Sequence, residues 1–208
     1  MSFIEKLKNE FSLISILLIP VAIAINFVGF QIAQTLKLPM YLDSIGTMLV
    51  GLIAGPWVGA LTGLLTNIIN GIFNPVYFAF TPIAILIGVL AGLISKYKMM
   101  SNPIKIGISI VMMTIILTVA QAPIIVYFFG GATGTGSALL TATFLASGKK
   151  IWESVFSSTI IVELADKGIS LITAFLIAKS MSSRYLSKFK YGEQYIRKSQ
   201  KTNIDDIA

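Results

Sequence analysis

Neither cysteine nor histidine occurs among the 208 residues, and only 12% of them are charged. Each absence closes a class of chemistry. Without cysteine there is no disulfide and no thiolate nucleophile or ligand. Without histidine there is no imidazole base, no HExxH zinc site and no partner to activate a serine such as Ser137 in GTGSA. The glycine-rich stretch FGGATGTGS (129–137) lacks the lysine of a phosphate-binding GxxxxGK[ST] loop, so any ATP hydrolysis falls to another chain. No metal, cofactor or catalytic residue is expected, and the chain reads as a non-enzyme.

What is abundant is apolar: 55% of the residues are hydrophobic and the mean hydropathy is +0.85. A soluble domain carries roughly twice as much charge, so the apolar runs predict membrane spans of about 20 residues each. Runs 11–36, 42–54, 56–73, 76–95, 103–129 and 152–178 give the expected fold, an all-α integral membrane bundle of six transmembrane helices with short second and third helices. The second run would extend only about 20 Å, so it either tilts under a thinned bilayer or crosses in part. In the outer loop 130–150, the apolar stretch 138–146 is too short to span and reads as an interfacial or re-entrant helix. The first run continues as a full span, which is not the pattern of a cleavable signal.

The net charge is +7. Six spans put both termini on one side, and placing them in the cytoplasm leaves only Lys37, Lys149 and Lys150 outside, with Lys167 inside a span. That bias follows the positive-inside rule for a multi-pass protein of the cell membrane. Residues 1–183 are expected to form the membrane domain. Residues 184–208 form a basic, polar, partly disordered cytoplasmic tail able to touch anionic lipid. No basic groove interleaved with aromatics points to nucleic acid.

Glycines recur every fourth residue through GLIAGPWVGALTG: Gly51, Gly55, Gly59 and Gly63. Gly55-Pro56 has the form of one helix ending and the next beginning, so the stripe is two GxxxG pairs on consecutive helices. Such faces either pack inside a bundle or offer a smooth surface to another membrane subunit. Gly88/Gly92 and Gly29/Ala33 add further pairs, and Ala22 and Ala24 on helix 1 suit docking.

Polar side chains in spans are costly and tend to carry function. Asn67, Asn70 and Asn74 form one helical stripe toward the outer side. Gln31, Gln34, Tyr41, Asp43, Tyr77, Tyr127, Trp152 and Glu153 fall at the same level, which together suggests an outward pocket for a small organic ligand. Each also has a structural reading: Asp43 as a helix cap, the aromatics as an interfacial belt, the asparagines as links between helices. In VELADKG, Glu163 and Lys167 have the spacing of a helical ion pair, with Asp166 offset by about 100°. That cluster either fixes the helix, recognises ligand charge or relays protons.

LPMYLDSIGTMLVGLIAGPWVGALTGLLTN (38–67), GATGTGSALLTATFLASGKKIWES (131–154) and VELADKG (162–168) resemble the substrate-binding (S) components of energy-coupling factor (ECF) vitamin transporters. The resemblance covers nearly the whole chain. It implies a subunit that binds a vitamin-class molecule near the outer face and works with a transmembrane coupling protein and two cytoplasmic ATPases. Helix 1 of that family carries an AxxxA docking motif; here IPVAIAINFVG offers Ala22 and Ala24, with Pro20 where a small residue is expected. The competing expectation is a self-sufficient, proton-coupled secondary transporter using Glu163 or Asp166. The lack of an inverted repeat counts against it.

Overall fold

The computed structural model describes residues 10–134 and 136–196. Lys6, Lys8, Arg197, Lys198 and Lys201, which the positive-inside reading places in the cytoplasm, lie outside the described residues. Among the described residues the secondary structure is helical throughout: α1 (Leu13–Thr35), α2 (Ile45–Ala54), α3 (Pro56–Phe73), α4 (Val76–Ala79), α5 (Thr81–Lys96), α6 (Pro103–Phe129), α7 (Gly136–Ala146), α8 (Ile151–Ser180) and α9 (Ser183–Leu186), then a 3-10 turn at Gly192–Tyr195. Three helices, α1, α3 and α6, are long and apolar enough to cross a membrane by length and composition. α8 has 30 residues, ample length, but carries Glu163, Asp166 and Lys167 in its middle, all turned inward and buried.

α2 is the centre of the bundle. Every residue from Gly46 to Ala54 is buried, with α1, α3, α5 and α8 packed around it. The sequence reading had this run tilting or crossing in part. Enclosure gives the physical reason for its shortness, since a helix sheathed by other helices need not match the bilayer. α2 and α3 meet at Gly55, whose φ of +121° is open to glycine and strained for other residues, and Pro56 starts α3.

Close approach locks α2, α3 and α5 together. A Cβ on Gly88 would lie 2.2 Å from the Gly59 carbonyl, and one on Gly63 would lie 2.2 Å from the Ala84 oxygen. Gly51 meets Ala91 and the Gly88 carbonyl, while Gly55 lies against the Glu10 carboxylate. These four glycines are therefore internal and present no face to a partner. Ala22 is internal too, its backbone against Gly46, whereas Ala24 is exposed on α1.

Two further segments differ from expectation. The run 76–95 is not one helix but breaks at Phe80 between α4 and α5, where Pro82 provides no amide and the Thr81 hydroxyl bonds the Phe78 carbonyl. Residues 183–196 are not a free tail. They fold against the end of the bundle that holds both described termini, burying Leu186, Phe189 and Tyr195. Outward, α1 and α6 expose Leu13, Leu17, Val28, Ile104, Ile115 and Val119, an apolar belt suited to lipid.

Candidate functional site

At the opposite end, the loop 36–44 turns the chain from α1 into α2. Leu42 takes a positive φ of 54°, and its carbonyl packs on Gly29, where a Cβ would come within 1.9 Å. Asp166 of α8 holds this loop. Its Oδ1 accepts the amides of Tyr41 at 2.9 Å and Leu42 at 2.8 Å, and its Oδ2 accepts from Lys167 Nζ at 2.5 Å. Lys167 lies 3.7 Å from Glu163 Oε2 and 3.4 Å from Ser44 Oγ. The i,i+4 spacing had favoured Glu163 as the main lysine partner. The adjacent Asp166 is closer because the flexible lysine stem bends back toward the loop that Asp166 anchors.

Beneath this loop lies a cavity of about 60 Å³, lined by polar groups from Tyr41, Asp43, Ser44, Thr47, Thr66, Asn67, Gln121, Glu163 and Lys167, with Tyr77, Phe80, Ile83 and Ile87 as its apolar wall. α3 and α4 meet in its side: Asn67 Nδ2 donates to the Tyr77 carbonyl and to Thr81 Oγ1. Tyr41 OH donates to Ser137 Oγ of α7 at 3.0 Å, and α7 is tied to α8 through Thr141 and Ser158 at 2.7 Å. The short helix of the 130–150 loop thus packs over the cavity rim.

Of the residues singled out by sequence, the cavity brings together Tyr41, Asp43, Asn67, Tyr77, Glu163 and Lys167, and Gly63 joins its wall. Gln34 is exposed but reaches the Tyr77 hydroxyl, while Gln31 is exposed and not in the lining. Asn70 is fully buried away from the cavity, with neither amide atom hydrogen-bonded. Asn74 caps α3 and accepts the Val76 amide. Tyr127 is 77% exposed and stacks edge-on with Trp152, also at the surface, as is Glu153. These last three sit outside the lining, in belt positions.

Sequence reasoning passed over Ser44, Thr47, Thr66 and Gln121 in the lining, and Asn26 behind it. Asn26 is fully buried, donates to Thr47 and Thr66 at 2.8 and 2.9 Å, and accepts the Gly46 amide at 2.6 Å. It joins α1, α2 and α3 behind the cavity wall. A lone asparagine in an apolar run carries the same cost that flagged the α3 stripe, so the signal was present.

A buried polar chamber at one end of an otherwise apolar helical bundle, with neither a nucleotide loop nor a cluster able to hold a metal among the described residues, is equipped to bind a molecule. The family model for "ECF transporter, substrate-specific component" matches residues 15–178. The chain belongs to that family. No curated protein and no solved structure matches it. ECF S components are membrane-embedded transporter subunits, not enzymes, and the family implies association with components of an ECF module.

Proposed function

We propose that this S component captures a vitamin-class small molecule in the chamber under loop 36–44 and imports it with a transmembrane coupling protein and two cytoplasmic ATPases. The observation that carries the reading is the cavity itself: buried polar groups converge there from α2, α3, α6 and α8, and two of them, Gln121 Nε2 and Glu163 Oε2, are left without full pairing. Polar atoms sealed in an apolar bundle are costly unless something meets them. The chain lacks an ATP-binding loop, so energy comes from partners. The chamber end is the outer face and both termini are cytoplasmic, in keeping with Lys96, Lys98, Lys105, Lys179 and Arg184 at the other end. With the glycine stripe used internally, the exposed side of α1 around Ala24 is the face left for the coupling protein, and membrane lipid covers the remaining apolar belt.

The test is a gentle-detergent purification of tagged protein with mass spectrometry of everything that accompanies it. Two ATPases, a membrane coupling protein and a retained vitamin are the expected result. A protein that comes alone and drives uptake in proteoliposomes on a proton gradient would overturn the reading and make Glu163 and Asp166 proton carriers.

A further inference from the structure

The charges around the cavity do not balance. Asp43 and Glu163 line it, Asp166 stands behind it, and among the described residues Lys167 is the one basic group in the lining. Lys167 is engaged with Asp166 at 2.5 Å, and Asp166 is further committed to two loop amides. Glu163 is 1% exposed; Gln121 and Lys167 are its side-chain partners, the lysine at 3.7 Å, and its Oε2 has no close hydrogen bond. Asp43 is partly buried in the lining, where burial pushes its carboxyl up to about 7 against the opposing charge of Lys167, and it makes no hydrogen bond to another side chain among the described residues. Two carboxylates therefore face the cavity and share one lysine whose shortest contact is to Asp166, so the acidic groups outnumber the basic one and an anionic guest would add to that excess in a desolvated place.

Size and shape narrow the guest further. About 60 Å³ of cavity holds roughly four to six waters, whose share of liquid volume is about 120–180 Å³. That is the bulk of one substituted ring, too little for a fused polycyclic nutrient. Tyr41, Tyr77 and Phe80 border the same space; the Tyr41 ring already carries Lys167 Nζ 5.7 Å from its centroid and Phe80 stacks on Phe129, which leaves their edges and Tyr77 to meet a ring-bearing guest.

Resting on the reading of this chamber as the transport site, we propose that its ligand is a small single-ring organic cation whose positive charge is met by the Asp43 and Glu163 carboxylates. Phosphorylated and carboxylate-bearing ligands are excluded by the same two groups.

The experiment uses the full chain in detergent and reads its thermal midpoint with matched probes at millimolar concentration: pyridoxamine and benzylamine as single-ring cations, pyridoxine as the neutral counterpart, pyridoxal phosphate and pantothenate as anions. The expected result is stabilisation by one or more cations and none by the anions. For the stabilising cation, Asp43→Asn and Glu163→Gln should each weaken binding about tenfold to a hundredfold, the scale of losing a charge-assisted hydrogen bond. Asp43 makes no hydrogen bond to another side chain and its charge is penalised by burial, so its variant should keep or slightly raise the unliganded midpoint. Stabilisation by an anion, by pyridoxine as strongly as by pyridoxamine, or by no cation at all overturns the charge assignment. None of these outcomes alters whether ATPases and a coupling protein co-purify, so the transport reading stands or falls separately.

Discussion

Two asparagines show how differently one residue type acts at membrane depth. Asn26 and Asn70 are both fully buried, yet Asn26 makes three hydrogen bonds across three helices and Asn70 makes none. Interhelical hydrogen bonds in membranes average about 0.6 kcal/mol each, so the near-isosteric Asn26→Leu should cost roughly 2 kcal/mol and leave the Gly46 amide unpaired. Asn70→Leu removes an unsatisfied amide and should leave stability unchanged or raise it. Thermal unfolding of both variants in the same detergent checks the contrast; an equal loss from each would mean that Asn70 has a partner after all. Sequence made the α3 stripe legible as polar, because spacing is local. It could not say that Asn67 turns to the cavity, Asn70 into helix contacts and Asn74 to a cap, since that depends on where α4 and α5 sit.

At the scale of elements, the molecule divides into a block closed by glycine and a chamber lined by polar groups. The block is α2, α3 and α5, where backbones touch at Gly59 and Gly88. Dispersion at such short range replaces the hydrophobic drive that lipid does not provide. Gly88→Ala places a methyl group 2.2 Å from backbone atoms that cannot rotate away, so the helices must separate. Its expected cost is at least the roughly 1–3 kcal/mol of an overpacked core, seen as lost folded yield. Gly107→Ala on α6 is the control, because nothing lies within 4 Å of its added methyl and helix propensity favours alanine by up to about 1 kcal/mol. If both variants behave alike, the close packing is not what holds the block. The Gly-Pro joint was readable because its geometry is written in two adjacent residues. The partner of the stripe was not: GxxxG says that a face is small without saying what rests on it, and here it rests on α5. The break at Phe80 had a local sign in Pro82, masked by the apolar run around it.

Across the whole molecule, the ends of α2 are held by two different devices. One end hangs from the loop that Asp166 fixes. The other is covered by residues 183–196: the Tyr191 amide donates to the Ile53 carbonyl at 3.0 Å, and Ser95 Oγ receives Gln194 at 2.6 Å while bonding Tyr195 OH at 2.9 Å. Glu10 closes the same end, accepting the Trp57 amide at 3.0 Å at the start of α3 and pairing with Lys190 at 3.1 Å; a carboxylate there also suits the helix dipole. None of these residues lines the cavity, so the clasp and the chamber are joined only through the helices between them: α2 with its locked neighbours, and α8, where the Phe175 ring meets Tyr195 edge-on. Tyr195 is 1% exposed, the largest fully buried side chain, and Tyr195→Ala should cost about 3–5 kcal/mol by analogy with other aromatic truncations. Tyr195→Phe removes only the hydroxyl and should cost about 1 kcal/mol. In both variants the thermal midpoint should fall in that order, while affinity for whatever ligand stabilises the parent protein moves by less than about twofold. A parallel loss of affinity would show that the clasp reaches the chamber through α2 or α8, and the helices between them would then be transmitting elements rather than a fixed frame.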